Sequence, residues 1–164
     1  MPKKPPANAG PLTKSQKKKA FVLLQDNAEV LMVQSLLAEQ GLAMVRLQKI
    51  KQVDSALNGC SECLLVLDLE TPGVDNDRLR RWKRSCSHVS IIGLSTKTYH
   101  PELKESLRSH LLAVAAKPLN AEEFSCCLRG VVDLAHARHG GGNSFQLANA
   151  AKIPGPKANV NLGP

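Results

Sequence analysis

The chain has 164 residues, long enough for one domain with a substantial core, and with only 3% aromatic residues that core has to be built from Leu, Val, Ile and Ala. No apolar run approaches the ~20 residues of a membrane-spanning helix, and the stretch MPKKPPANAGPLTKSQKKK lacks the apolar centre of a signal peptide, so a soluble, cytoplasmic protein is expected. The net charge of +8 is confined to the flanks: residues 1–19 hold six lysines and 140–164 hold two, with no acid in either, while 20–139 balances fourteen basic against fourteen acidic residues. Basic flanks can touch nucleic acid or anionic lipid. Here the Pro/Lys-rich 1–19 and the Gly/Pro-rich 140–164 read as disordered linker and tail around a folded unit at 20–139, and no specific nucleic-acid partner is expected.

The first strand is expected at Ala20–Leu24. A helix follows over Ala28–Gln40, with Val30, Val33 and Leu37 on one face and Gly41 as its stop. A second strand spans Ala43–Leu47 and a short helix Gln52–Leu57. Leu64–Leu67 is a strand whose unbroken apolar run indicates burial on both faces. Asn76–Ser85 is a helix with Leu79 and Trp82 facing inward. Its Arg78, Arg80, Arg81, Lys83 and Arg84 could dock an acidic partner, although a solvated face is the favoured reading. Ile91–Leu94 is a strand, Glu102–Ser109 a helix behind Pro101, and Leu111–Ala115 the last strand. The final helix starts at a capping-box sequence, Asn120 with Glu123 three residues on, and closes at Gly140.

Five cysteines occur, at 60, 63, 86, 126 and 127. The odd number argues against a disulfide framework. Cys60 and Cys63 form a CxxC, but no second CxxC or HxxxH completes a zinc site, and the pair precedes an apolar strand rather than opening a helix. It reads as structural.

Strict alternation of five strands and five helices builds an α/β domain, a parallel sheet with helices on both faces, whose functional groups gather beyond the carboxyl ends of the strands. Those ends carry Gln25-Asp26-Asn27, Asp68, Ser95-Thr96 and Lys117-Pro118. Asp68 is expected to stand where its strand has just left the core. Taken singly, each is ordinary: Asp68 a turn residue, Asp26 a helix cap, Lys117 a surface lysine, Ser95 a loop serine.

Together, and in order, they resemble the receiver domains of two-component response regulators. LLQDN stands at the acidic pair after strand one, Asp68-Leu69-Glu70-Thr71-Pro72 at the D-x-x-x-P motif, Ser95 at the strand-four hydroxyl, and Lys117-Pro118 at the Lys-Pro after strand five. The resemblance covers about 120 of the residues and implies a single flavodoxin-like (βα)5 domain with strand order 2-1-3-4-5. It also implies that Asp68 accepts a phosphoryl group from a phosphohistidine partner, a histidine kinase or histidine phosphotransfer protein. Mg2+ would be held by Asp26, Asp68 and the backbone carbonyl of Glu70. Lys117 would neutralise the phosphoryl charge, its Lys-Pro bond cis, and Ser95 would report the modification to the helix-four face. The isolated chain would be a self-phosphorylating acceptor rather than an enzyme, a monomer or weak dimer, and a hybrid sensor histidine kinase is a plausible parent.

The match is imperfect. Gln25 replaces the first acid of the pair, and losing one carboxylate ~5 Å from a divalent ion removes roughly 2 to 6 kcal/mol of attraction, so Mg2+ binding should weaken. Val114 occupies the place of a switch aromatic. These departures motivate a second reading, a pseudo-receiver that acts as a phosphorylation-independent interaction module. A phosphatase or nucleotide-binding protein is disfavoured, because no glycine-rich phosphate loop follows strand one.

Overall fold

The computed structural model describes residues 18–139; of the expected linker 1–19 and tail 140–164, residues 1–17 and 140–164 lie outside the described residues, and Lys19 opens the first strand. In chain order the elements are β1 (Lys19–Leu23), α1 (Asn27–Glu39), β2 (Ala43–Leu47), α2 (Ile50–Leu57), β3 (Glu62–Asp68), α3 (Asn76–Ser85) and β4 (His88–Ser95). A 3-10 turn (Pro101–Leu103), α4 (Lys104–Ser109), β5 (Ala113–Ala116) and α5 (Ala121–His139) complete the domain. The five strands are parallel and ordered β2-β1-β3-β4-β5, a flavodoxin-like topology.

Two apolar layers sandwich the sheet, and the two-residue period of the strands divides them. Leu65, Leu67 and Ile91 face α2, α3 and the 3-10 turn before α4, where Val53, Leu57, Leu79, Trp82 and Leu103 meet them. Leu64, Val66 and Ile92 face the opposite way, against Val30, Val33 and Leu37 of α1 and Phe124 and Leu128 of α5. The unbroken Leu/Val run of β3 is thus a strand buried on both faces.

Polar residues mark the element ends. Asp75 caps α3 by accepting from Arg78 N–H at 2.7 Å, and Asn120 accepts from the N–H groups of Glu122 and Glu123. After α1, Gly41 adopts φ 70°, and the amides of Gly41 and Leu42 return to Ala38 and Leu37, a Schellman stop. The basic run of α3 is largely turned onto the protein itself. Arg78 pairs with Asp54, Arg80 with Asp77 and Glu105, and Trp82 is buried with Nε1–H donating to Asp54 at 2.6 Å.

Several boundaries depart from expectation. β3 and β4 run through Asp68 and Ser95, so Asp68 has not left the core: it sits in the ladder opposite Leu94 and is 6% exposed. β5 begins at Ala113 rather than Leu111, because the amides of His110 and Leu111 both bond to Ser106 O and belong to the exit from α4. The helix expected over 102–109 opens as the 3-10 turn, with Leu103 N–H on His100 O.

Gly93 of β4 lets two leucines close over the sheet: a Cβ there would lie 2.7 Å from Leu111 Cδ2 and 2.8 Å from Leu69 Cγ. Gly93→Ala is expected to destabilise the fold by about 1–3 kcal/mol through overpacking, read as a lower urea midpoint at unchanged slope.

Candidate functional site

The carboxyl ends of β1, β3, β4 and β5 form one rim. Asp68 closes β3, and its Oδ1 accepts from Glu70 N–H at 2.9 Å, which fixes the carboxylate plane. Its Oδ2 accepts from Lys117 Nζ at 2.8 Å. Lys117 follows β5, and its own N–H bonds Ser95 O at 2.8 Å, carrying the β4–β5 ladder one step past Ala116. The Lys117–Pro118 peptide is cis.

A second carboxylate reaches the same ammonium. Glu29, in the first turn of α1, places Oε2 3.4 Å from Lys117 Nζ. That oxygen is buried and has no hydrogen-bond partner. The three side chains are 9% (Asp68), 14% (Glu29) and 14% (Lys117) exposed, so two negative charges and one positive charge are held largely out of water. Burial opposes the Lys117 charge, but the hydrogen bond and the negative charge of Asp68, with Glu29 behind them, hold its pKa above the ordinary lysine value. Lys117 is therefore cationic at neutral pH, and the cluster keeps one uncompensated negative charge.

Asp26 stands at the start of α1. It is exposed, and its Oδ1 caps α1 by accepting from Glu29 N–H at 3.0 Å. Among the described residues no hydrogen bond or ion pair joins it to Asp68 or Lys117. The sequence signal for Glu29 is the Asp26-x-x-Glu29 spacing of a capping box. Its side chain leaves the helix start and goes to the lysine.

Ser95 is brought to the rim, but its hydroxyl is engaged away from Asp68. Oγ lies 2.5 Å from His100 Nε2 and accepts from Lys97 N–H at 2.9 Å. His100 Nδ1 faces Glu102 Oε1 at 3.2 Å. An ionised carboxylate only accepts, so Nδ1 carries the proton, and in the neutral ring Nε2 accepts from Ser95. The Ser–His–Glu order is that of a hydrolase triad. With Ser95 2% and His100 3% exposed, however, no substrate reaches the hydroxyl. Glu70, next to this chain, accepts from Thr96 Oγ1 at 2.5 Å and from Thr96 N–H at 2.9 Å. The Thr96 side-chain bond, working against some desolvation, holds its carboxyl below the usual glutamate value. His100 was invisible as a site residue in the sequence because it stands in no motif, whereas Thr96 was marked only as the neighbour of Ser95 at the end of β4.

No protein-family model matches the sequence, and no curated protein matches it. Solved structures do match. A signal receiver domain of an HD domain-containing protein from Pseudomonas fluorescens Pf-5 is 14% identical, with TM-score 0.66 over 79% of this chain and 97% of that one. A response regulator from Thermotoga maritima is 13% identical, with TM-score 0.62 over 71% and 98%. A CheY-like receiver domain protein from Methanospirillum hungatei JF-1 is 19% identical, with TM-score 0.57 over 74% and 98%. At these identities the likeness establishes the fold: residues 18–139 have the fold of a response-regulator receiver domain. Among the described residues no helix is long and apolar enough to cross a membrane.

Lys117→Met strands two carboxylates and is expected to destabilise the domain by about 2–3 kcal/mol at pH 7. Glu29→Gln on that background should restore part of the loss. The raised Lys117 pKa contributes stability below the ordinary lysine value of 10.5, lost as pH rises through the folded value. The alkaline fall in stability should thus be shallower in Lys117→Met. Urea melts of the three proteins between pH 7 and 11.5 measure both effects.

Proposed function

We propose that residues 20–139 form a phosphoacceptor receiver of two-component signalling, in which Asp68 takes a phosphoryl group from a phosphohistidine on a kinase or phosphotransfer partner. The observation that carries this reading is the Asp68–Lys117 contact at 2.8 Å on the carboxyl rim of a receiver-type sheet. A carboxylate oxygen of Asp68 attacks phosphorus, the P–N bond breaks, and its electron pair returns to the imidazole nitrogen. Glu70 N–H and Lys117 Nζ hold the carboxylate in one orientation before the donor arrives. Lys117 then meets the phosphoryl oxygens with a charge already in place. The low exposure of Asp68 keeps competing water from the carboxylate.

The donor set fits a hard cation. All candidate ligands are oxygens, the cluster is one positive charge short, and Glu29 Oε2 is a buried carboxylate oxygen without a hydrogen-bond partner. Asp68, the Glu70 carbonyl, and Asp26 and Glu29 at the start of α1 are the groups that would hold Mg2+. When bound, Mg2+ would neutralise charge on the transferred phosphoryl group. In this reading Glu29 supplies the carboxylate that Gln25 does not.

A phosphorylation-independent interaction module is the second reading. The observation favouring it is the Ser95 hydroxyl, already bonded to His100, together with Val114, which is 45% exposed where a switch aromatic would stand.

Intact mass after incubation with Mg2+ and acetyl phosphate decides between them. The proposal expects a gain of one phosphoryl group that disappears in Asp68→Asn and slows at least tenfold in Lys117→Ala. No gain with acetyl phosphate or any phosphohistidine donor would overturn it and leave the second reading. With Glu29→Gln, the Mg2+ concentration for half-maximal labelling is expected to rise about tenfold, the order expected for losing one carboxylate at high effective dielectric.

A further inference from the structure

At the pole of the sheet opposite Asp68, three cysteines meet. Cys60 lies in the turn between α2 and β3, Cys63 is the second residue of β3, and Cys86 is the C-cap of α3, two residues before β4. The parallel pairing of Cys63 with Val89 brings the end of α3 back onto the start of β3. All three Sγ atoms lie within 4.8 Å of one another, with Cys63 and Cys86 at 3.9 Å. Cys63 is 4% and Cys86 1% exposed, Cys60 is half-buried, and none is in a disulfide. The CxxC that lacked a partner in the sequence acquires one from 23 residues downstream.

We propose that Cys60, Cys63 and Cys86 bind one thiophilic d10 metal ion, Zn2+ or Cu+. Sulfurs around such an ion at about 2.3 Å stand roughly 3.8 Å apart in a tetrahedral site and roughly 4.0 Å apart in a trigonal one. The cluster already has that spacing in one pair and needs less than about 1 Å of movement in the others. A disulfide needs about 2.05 Å, a far larger approach. Burial pushes the Cys63 and Cys86 thiols up, which makes them poor nucleophiles for disulfide exchange, whereas a coordinated ion displaces thiol protons outright.

Charge and access complete the site. Lys83, one turn before Cys86, is half-buried beside the cluster with Nζ donating to Val89 O at 2.6 Å. Three thiolates, Zn2+ and this ammonium sum to neutrality; with Cu+ one negative charge remains. The coordination number favours the other ion, because among the described residues no fourth His, Cys, Asp or Glu joins the group. Solvent reaches the cluster from the side of Cys60, so a water would complete a Zn2+ site there. The bound ion would staple the α2–β3 turn to the end of α3, far from the Asp68 rim.

The reduced, metal-stripped full chain is titrated with Zn2+ alone and, anaerobically, with Cu+ alone. The single tryptophan, Trp82, reports binding, since its carbonyl accepts from Cys86 N–H at 2.9 Å. The proposal expects one ion per chain, X-ray absorption showing three sulfur neighbours at about 2.3 Å, and a melting temperature that rises with free metal. Cys60→Ser, at a half-buried position that spares the core, should weaken binding at least tenfold; Cys126→Ser, exposed on α5, should leave it unchanged. The coordination shell separates the two ions: three sulfurs alone mark a Cu+ site, three sulfurs and one oxygen a Zn2+ site. Failure of both ions to bind, absorption without sulfur neighbours, or undiminished binding in a folded Cys60→Ser protein would overturn the proposal. None of these readouts involves Asp68, so the outcome is independent of phosphoryl transfer.

Discussion

The contact between Lys117 and Asp68 ties the end of β5 to the end of β3 across the strand between them, and the carboxyl rim is organised around it. Asp68 stays in the sheet ladder although charged, because an ammonium and a backbone amide satisfy its two oxygens. Without that ammonium, a carboxylate so far removed from water would cost several kcal/mol. The same lysine draws in Glu29 and links α1 to both strands. One cation thus sets the geometry of two carboxylates and leaves the pocket short of positive charge. That imbalance is the one the proposed Mg2+ would offset, before a phosphoryl anion could approach.

The two ends of the sheet differ in chemistry. The carboxyl rim offers hard oxygen donors on strand ends and a helix start. The amino end offers three sulfurs gathered by a turn, a strand and a helix terminus. Hard divalent ions favour the first set and thiophilic ions the second, so the sites would not compete. Between them runs a core of branched aliphatics with Trp82 at its α2–α3 seam, held by Asp54, which also pairs Arg78. Of the positive run on α3, Arg78 and Arg80 tie that helix to α2 and α4, while Arg81 and Arg84 are exposed.

Much of this was legible in the sequence because it rests on local rules. The Leu/Val run before Asp68 indicated a strand buried on both faces, and the alternation of elements pointed to parallel pairing. The spacing of Asp68, Ser95 and Lys117 at strand ends pointed to one rim. Contacts made by long side chains across elements were not legible. Glu29 stands four residues beyond Gln25, where an acid was sought, and only the fold shows its reach to Lys117. His100 holds Ser95 through a loop with no motif. Cys86 joins Cys60 and Cys63 because parallel pairing returns the chain to the start of β3, a relation no linear spacing displays. The start of β5 was misplaced because Leu111 looks like a strand residue while its amide still belongs to the turn of α4.

The central claim is that Asp68 and Lys117 form one phosphoryl-binding centre, and a crystal structure of the chain with Mg2+ and beryllofluoride, a phosphoryl mimic, tests it most directly. The account predicts the mimic attached to an Asp68 oxygen, with Lys117 Nζ transferred to one of its fluorines and Mg2+ among the Asp68 and α1 carboxylates. An Asp68 that remains bare, with Lys117 still bonded to it in the presence of saturating mimic and metal, would contradict the account.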